Sequence, residues 1–288
     1  MCGIIGYAGH RPAVPVVVEG LRRLEYRGYD SAGVAFARQG GLHVVRATGK
    51  LAALEEKLAT EEGITTPTSA MGHTRWATHG VPAERNAHPH CSNDGSLAIV
   101  HNGIIENYQE IKADLTAKGY TFSSETDTEV LVNLIAERRK TEPDLLHAFA
   151  AALREAHGAY AVCLMDKDEP GVIYAARMSA PLIFGQGTGE NFVASDIPAF
   201  LPYTRQVVFL EDGELVRATA SDFSIMRLKD LSPVQPEAQT IQWDMQAAQK
   251  GGYRHFMLKE ITSTNVFGNT GKILIQHTTC TQIHVSNF

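Results

Sequence analysis

The hydrophobic residues of this chain fall mostly in short runs that predict β-strands. Runs of roughly four to eight residues, rich in Val, Ile, Tyr and Phe and bounded by turn residues, are typical of strands. Many strands with tight connections favour antiparallel sheets over a doubly wound parallel sheet. The runs that predict strands are CGIIGYAG, GVAFA, LHVVRA, LAIVHNG, YAVCLMD, GVIYAAR, NFVAS and QVVFL.

Between these runs lie segments with the period of an amphipathic helix. Pro15 is tolerable in the first turn of the first, Gly119 closes the second as a C′ residue, and Thr126–Glu129 reads as a capping box that opens the third. We therefore predict two stacked, mostly antiparallel sheets flanked by helices. The predicted stripes are Val14, Val17, Val18, Leu21 and Leu24; Ile104, Tyr108, Ile111 and Leu115; Val130, Leu131, Leu134 and Ile135; and Leu145, Phe149, Leu153 and Ala156.

Composition excludes several classes of function. The 288 residues are 44% hydrophobic and carry a net charge of −6, from 26 basic and 32 acidic side chains. Such a chain has no electrostatic footprint for nucleic acid or an anionic membrane. No segment approaches the ~20 apolar residues of a membrane span, and the N-terminus does not resemble a signal peptide, so we predict a cytoplasmic protein. The four cysteines have no short spacings that would indicate a disulfide framework or a metal site.

Cys2 is the first candidate for chemistry. Methionine before a small residue is normally removed, so we expect the mature chain to begin with Cys2. A free α-amine has a pKa near ~7.7–8.0, the range wanted in a general base at neutral pH. One residue would then supply both a thiol nucleophile and its base. Taken alone, a cysteine at the second position more often has no role, and the segments below reverse that expectation.

The segment GHTRWATHG, residues 72–80, concentrates polar side chains next to an apolar run. The guanidinium fork of Arg75 suits bidentate capture of a substrate carboxylate. We expect Trp76 to cover the bound substrate and exclude water. The alternative is a solvated arginine beside a core tryptophan.

Two further groups complete a candidate site. His101, Asn102 and Gly103 follow the run LAIV, and we expect them at a strand end, where the Asn102 amide and the Gly103 N–H would be donors to an oxyanion. The alternative is an ordinary Asn-Gly turn. Asp127, in the first turn of a capped helix, either complements the helix dipole or receives a substrate ammonium. With Arg75 it would grip both ends of a free α-amino acid.

Six segments together resemble the glutaminase domain of the glutamine–fructose-6-phosphate aminotransferase (isomerizing) family, from Met1 to about Ile261. In family order they are MCGIIGYAG, LRRLEYRGYDSAG, GHTRWATHG, NAHPH, HNGIIENY and SETDTEV. The resemblance implies an α+β fold, a four-layer αββα sandwich of the N-terminal-nucleophile hydrolase type, with neither a metal nor a cofactor.

The resemblance also implies a reaction: hydrolysis of L-glutamine to glutamate and ammonia, the ammonia-supplying half of glucosamine 6-phosphate synthesis from fructose 6-phosphate. Cys2 would be the nucleophile with its α-amine as the base. Asn102 and Gly103 would form the oxyanion hole.

Glutamine binding is assigned in the same way. Arg75 and Thr78 resemble the site for the glutamine carboxylate, with His79 alongside. Asp127 matches the residue that holds the α-ammonium, and Trp76 falls in a loop that closes over glutamine. Two other residues in family motifs are expected to give structural support: Arg27 and His88.

The end of the chain departs from the family. Members continue past a segment like YRHFMLKEI, residues 253–261, into a sugar-phosphate isomerase half, whereas this chain reads TSTNVFGNTGKILIQHTTCTQIHVSNF. We therefore predict a glutaminase domain over residues 1–230, a strap or linker over 231–261 and a divergent tail over 262–288. An isomerase domain or chain supplied separately is the expected partner.

Three alternatives remain open at this point. Another class II amidotransferase, such as a phosphoribosyl-amine or asparagine synthetase half, shares the Cys-Gly start and the Asn-Gly pair, but RRLEYRGYDSAG and GHTRWATHG favour the fructose-6-phosphate family. A non-catalytic domain that only binds glutamine or a partner would release no ammonia. A metal hydrolase is disfavoured because no HExxH or paired-cysteine spacing occurs. The residues that raise the metal alternative are His73, His79, His88, His90, Cys91 and His101.

Overall fold

The predicted strand runs form two antiparallel sheets. The computed structural model describes residues 2–27, 30–38, 40–76 and 81–242. Within these ranges the helices are α1 (Ala13–Leu24), α2 (Leu51–Leu58), α3 (Tyr108–Ala117), α4 (Asp127–Arg139) and α5 (Leu145–Glu155). The strands are β1 (Gly3–Gly9), β2 (Ser31–Arg38), β3 (Gly41–Thr48), β4 (Ser69–Arg75), β5 (His90–Cys91), β6 (Leu97–Ile105), β7 (Gly158–Asp166), β8 (Ile173–Met178), β9 (Ile183–Gln186), β10 (Glu190–Ala194), β11 (Gln206–Phe209), β12 (Glu214–Ala218), β13 (Phe223–Arg227), β14 (Pro233–Val234) and β15 (Gln239–Thr240).

The candidate site draws on strands from both sheets: β1 and β4 lie near the centre of the first sheet, and β6 lies near one end of the second. The first sheet has the order β15-β11-β9-β10-β1-β4-β2-β3, and the second the order β14-β13-β12-β8-β7-β6-β5. Gly3 of β1 is paired with Thr74 of β4. The start of β1 therefore lies beside the end of β4, which brings Cys2 next to the segment that contains Arg75 and Trp76.

The sheets stack on one another, and helices cover their outer faces. Side chains between the sheets, such as Ile4, Val100 and Cys163, form one core. Others, such as Phe149 and Tyr160, form a second core between the second sheet and α3–α5. Helix α1 packs on β1 and β4 of the first sheet. The predicted four-layer αββα sandwich is confirmed.

The predicted helices are confirmed, with errors at two boundaries, the smaller being that Ala156 follows the last residue of α5. Helix α3 begins at Tyr108, whereas Ile104, predicted to lie on its stripe, belongs to β6 and is 41% exposed. The strand extends because β6 continues to pair with β7 as far as Ile105 and Gly158. At the other end of α3, Gly119 has a φ of +92°, the left-handed conformation expected of a C′ glycine.

The chain beyond residue 230 begins as an extension of both sheets. Strand β14 pairs with β13 at the edge of the second sheet, and β15 pairs with β11 at the edge of the first. The described residues up to Ile241 belong to one compact unit, and of a second unit, 242–288, only Gln242 is described. The predicted tail and most of the predicted strap lie outside the described residues, so the predicted boundaries stay predictions.

Candidate active site

Cys2 lies just before β1 and contacts the backbone of Trp76. The Trp76 N–H donates to the Cys2 Sγ over 3.1 Å, and the thiol lies 3.5 Å from the Trp76 carbonyl oxygen. The side chain is half-buried. The thiol is thus held by main-chain atoms at the end of β4 and still has access to solvent.

The surroundings of Cys2 keep its thiol protonated near neutral pH. Burial raises the pKa of the Cys2 thiol, and the Trp76 N–H and the Arg75 charge offset this only in part. A thiol is a poor nucleophile until it loses its proton. Attack by this sulfur therefore needs a base within reach.

Asn102 reaches Cys2 from the opposite sheet. Its Nδ2 donates to the Cys2 carbonyl oxygen over 3.1 Å, and its Oδ1 lies 2.9 Å from Nε2 of His73. The prediction that Asn102 lies at a strand end is wrong by a short distance, because β6 continues to Ile105. The amide side chain is consequently mounted on a paired strand and not on a turn.

Gly103 occupies a backbone position that a side chain cannot share. Its φ is +127°, and a Cβ at this position would lie 2.0 Å from the carbonyl oxygen of Ala159 in β7. Any other residue here combines backbone strain with a steric clash. Glycine thus allows the close approach of the two strands beside Asn102.

Arg75 is the last residue of β4 and is buried, with 4% of its surface exposed. The alternative of a solvated arginine is therefore wrong. Its positive charge acts to lower the pKa of Cys2 and of His73, so the guanidinium lies within electrostatic reach of both. A buried arginine beside the candidate nucleophile suits a substrate carboxylate.

Asp127 is the first residue of α4 and lies at the end of β6. Its Oδ2 accepts the backbone N–H of Ile105 at 2.8 Å, and its Oδ1 lies 3.8 Å from Nδ1 of His101. Thr126 is the N-cap of α4, and its hydroxyl accepts from the Glu129 N–H as predicted. The carboxylate is buried, and the N–H that it accepts belongs to the residue two positions beyond Gly103 in β6.

The capping box is only half formed. The carboxylate of Glu129 accepts the backbone N–H groups of Ser123 and Ser124, at 2.9 and 2.7 Å, instead of returning to Thr126. This arrangement anchors the segment before α4 as well as the helix itself. The position of Asp127 is therefore fixed at both sides of the helix start.

The remaining predicted binding residues are only partly described. The Trp76 indole is 50% exposed, so the alternative of a core tryptophan is wrong. Thr78 and His79 lie outside the described residues, as does the side chain of Arg27. Their assignments stay predictions.

A group of buried histidines lies behind Asn102. The sequence predicted a structural role for His88, and it raised His73 and His90 only as members of a disfavoured metal site. The rings of His73 and His88 meet edge to face with centroids 4.3 Å apart, and His90 packs against His88 at 5.0 Å. Burial lowers the pKa of His73 to about 3 and the pKa of His88 and of His90 well below 6.5. The signal for His73 was its place two positions before Arg75, on the same face of one strand.

Two structural features of the described ranges bear on other functions. No group of three or more His, Cys, Asp and Glu side chains there is arranged to hold a metal ion. None of the helices described is long and apolar enough to cross a membrane.

Known proteins resemble this chain throughout the described unit. Residues 73–202 match the family model described as "Glutamine amidotransferase domain". The glutamine--fructose-6-phosphate aminotransferase (isomerizing) of a Thermus thermophilus strain is 53% identical over 264 residues, 91% of this chain and 42% of that protein. The Pyrococcus horikoshii protein of the same name is 49% identical over 261 residues, 91% of this chain and 43% of that protein. The chain thus spans less than half the length of these relatives.

Solved structures agree in fold. The glutamine phosphoribosylpyrophosphate amidotransferase of B. subtilis is 27% identical with a TM-score of 0.68, over 80% of this chain and 50% of that one. A glutamine aminotransferase class-II domain protein from Silicibacter pomeroyi, 18% identical with a TM-score of 0.52 over 79% of this chain and 99% of that one, shares the fold. The family model, the curated relatives and the fold together identify a glutamine amidotransferase domain in this chain, with the N-terminal-nucleophile hydrolase architecture.

Proposed function

We propose that this domain hydrolyses L-glutamine to glutamate and ammonia with Cys2 as the nucleophile. The observation that carries the proposal is the 3.1 Å hydrogen bond from the Asn102 amide to the Cys2 carbonyl. It joins the candidate nucleophile to the candidate oxyanion donor across the two sheets. With Met1 removed, the α-amine of Cys2 would be the base that the protonated thiol needs.

The reaction then proceeds in two balanced steps. The α-amine takes the thiol proton as Sγ bonds to the side-chain carbonyl carbon of glutamine, whose oxygen becomes an oxyanion held by the Asn102 amide and the Gly103 N–H. The C–N bond breaks, the nitrogen receives that proton, and ammonia leaves behind a thioester. Water adds to the thioester, the C–S bond breaks, and glutamate and the thiol are released.

Glutamine is selected as a zwitterion. Arg75 binds its α-carboxylate, with Thr78 and His79 alongside, and the buried carboxylate of Asp127 receives its α-ammonium. Trp76 covers the bound amino acid. The burial of Arg75 and Asp127 supports these roles, because charges in a low-dielectric site pair more strongly with a substrate than exposed charges do.

The ammonia would serve glucosamine 6-phosphate synthesis from fructose 6-phosphate. The relatives named as glutamine--fructose-6-phosphate aminotransferases support this role. An isomerase domain or chain would receive the ammonia and bind the sugar phosphate. A cytoplasmic location, which the composition predicts, stays part of this proposal.

The test is to incubate the purified chain with glutamine, with and without fructose 6-phosphate, and to assay glutamate, ammonia and hexosamine phosphate. We expect equal amounts of glutamate and ammonia, at a rate that the sugar phosphate does not change, because the proposed site needs only glutamine and water. Saturable glutamine binding without ammonia release would identify a binding domain. Hexosamine phosphate formed by this chain alone would contradict the proposal that a separate isomerase domain or chain binds the sugar phosphate.

A chelator separates this mechanism from metal-dependent hydrolysis. Turnover by Cys2 should survive a strong chelator unchanged. Activity that disappears with the chelator and returns with added Zn²⁺ would instead favour a metal site.

A further inference from the structure

We propose that His73 and His88 are positioning residues, which form a directed chain of hydrogen bonds that fixes the orientation of the Asn102 amide towards the oxyanion. The inference rests on the proposed function for its catalytic consequence. Its geometric basis, the sequence of donors and acceptors, is independent of that function.

The series of hydrogen bonds starts at the Cys2 carbonyl oxygen, which can only accept a hydrogen bond. Nδ2 of Asn102 must therefore face this oxygen, at 3.1 Å. The opposite side of the planar amide then presents Oδ1 to Nε2 of His73, at 2.9 Å. An amide turned over by 180° would set Oδ1 against the Cys2 carbonyl, two acceptors in contact.

The tautomer of His73 follows from its acceptors. Its Nε2 lies 2.9 Å from Asn102 Oδ1 and 3.1 Å from the carbonyl oxygen of His101. Both are acceptors, so Nε2 carries the proton. The ring is wholly buried and neutral, because burial lowers its pKa to about 3. Its Nδ1 is consequently an unprotonated acceptor.

His88 is the last member of this series of hydrogen bonds. Its Nδ1 lies 3.2 Å from Nε2 and 3.3 Å from Nδ1 of His73, in an edge-to-face contact of the two rings. The proton on Nε2 of His73 is already directed at Asn102 Oδ1 and the His101 carbonyl, so Nδ1 is the nitrogen of that ring that can accept. We therefore assign the proton of this pair to Nδ1 of His88, which donates it. Its Nε2 is buried with no hydrogen-bond partner among the described residues, as expected of an unprotonated nitrogen at the end of the chain.

This order of donors has one consequence for catalysis. Of the two N–H bonds of Asn102, one is engaged by Cys2, and the other is left to point at the oxyanion. His73 keeps the amide from turning over, which would present a carbonyl oxygen to a developing negative charge. Neither ring makes a hydrogen bond to Cys2, and His73 contacts the site through Asn102, so we expect both histidines to act only through Asn102.

The test is a double-mutant cycle read as kcat and KM for glutamine. His73→Leu should lower kcat by ~10–100-fold, less than the ~10²–10³-fold expected for Asn102→Ala, with KM within about twofold of the unsubstituted chain. In the Asn102→Ala background the same substitution should cost less than about twofold, since the amide that it orients is gone. Equal losses in both backgrounds, or a loss carried by KM, would overturn the proposal.

Rescue gives a second readout. His73→Gln offers an amide N–H close to the place of the imidazole Nε2–H, so it should recover at least about half of the logarithmic loss in kcat that His73→Leu causes. No recovery would contradict the assignment of Nε2 as the donor. Should His73→Leu not fold, His88→Phe keeps a ring and removes the donor to His73, and it enters the same cycle with the same expected non-additivity. Asn191→Ala, which removes a buried amide bonded to the Thr219 carbonyl at the far end of β1, is the control and should leave kcat unchanged.

¹⁵N NMR tests this series of hydrogen bonds without a measurement of activity. The ¹⁵N shifts of the buried rings should identify the Nε2–H tautomer for His73 and the Nδ1–H tautomer for His88. The reverse tautomers would refute the proposed series of hydrogen bonds even in an active enzyme. An inactive chain with the expected tautomers would refute the proposed function and leave the geometric inference standing.

Discussion

The side-chain amide of Asn102 donates to the backbone carbonyl of Cys2 over 3.1 Å, across a separation of 100 residues in the chain. Asn102 belongs to β6 in the second sheet, and Cys2 directly precedes β1 in the first. The candidate active site is therefore built where the two sheets face one another, and its geometry depends on how they stack. Most of the expected effects of substitution follow from this arrangement.

Replacing Cys2 with alanine should lower the rate of ammonia release by about 10⁴-fold or more, because no other described thiol lies at this site. Since the side chain is half-buried and makes few contacts, the free energy of unfolding should change by about 0.5 kcal/mol or less. Cys91→Ala, at another half-buried cysteine, is the matched control and should keep its turnover. Ammonia production and thermal unfolding check both variants, and residual turnover in Cys2→Ala would contradict the mechanism.

A free amine on Cys2 should be required as well. A fusion in which a protease cleaves directly before Cys2 is expected to be inactive until cleavage, since both the base and the placement of the thiol depend on the exposed terminus. The measurement is ammonia release before and after cleavage, with the new terminus verified by mass spectrometry. Full activity in the uncleaved fusion would mean that another group is the base.

Arg75→Lys and Asp127→Asn should act on glutamine binding. Lysine keeps the charge of Arg75 but loses its bidentate fork, and asparagine keeps an oxygen for the Ile105 N–H while removing the charge opposite the α-ammonium. A charged hydrogen bond contributes about 1.5–3 kcal/mol, so KM should rise by roughly 10–100-fold in each variant. Steady-state kinetics measure this, and an unchanged KM in both would mean that the zwitterion is held elsewhere.

Gly103→Ala should destabilise the protein and remove activity together. The added Cβ meets the Ala159 carbonyl at 2.0 Å in a backbone with φ of +127°, so we expect a loss of roughly 2–5 kcal/mol in the free energy of unfolding. Gly119→Ala is the matched control. Its φ is +92° but nothing lies within 4 Å of the added atom, so it should cost about 1–2 kcal/mol and leave turnover intact. Comparable losses in the two variants would show that strain alone, without the clash, explains the effect.

Stability should fall in mild acid because of the buried histidines. Burial lowers the pKa of His73 to about 3 and the pKa of His88 and of His90 well below 6.5. Below pH 6.5 the unfolded chain binds protons that the folded chain does not, so the free energy of unfolding decreases as the pH falls. For His73 this decrease ends only near pH 3, where the folded state also takes up the proton.

Each of these histidines contributes up to about 1.4 kcal/mol per pH unit. His90→Phe keeps an aromatic ring and should reduce the slope of the unfolding free energy just below about pH 6 by up to that amount. Asn191→Ala replaces a buried polar group that does not titrate, and it should change the level of stability but not the slope. Denaturant unfolding at several pH values provides the measurement, and an unaltered slope in His90→Phe would be contrary to this account.

The local pattern of the chain determined much of the fold. The eight apolar runs form strands because each is short, β-branched or aromatic, and bounded by turns. Thr126 and Gly119 mark helix ends because their roles depend only on neighbouring backbone groups, within a few residues of the sequence. The sequence likewise predicted the candidate catalytic and binding residues, since a nucleophile, an oxyanion donor and the charges that bind a zwitterion each require particular side chains.

Tertiary packing decided the rest. Strand β4 was not predicted, because its polar residues His73, Thr74 and Arg75 give no apolar alternation; they are buried only since the sheets and α1 cover both faces. Ile104 has the spacing of a helical stripe, but pairing between β6 and β7 holds it in a strand. The contacts of Asn102 with Cys2 and with His73 join distant segments. They exist only because the two sheets stack in one register, a relationship that no local pattern of the sequence encodes.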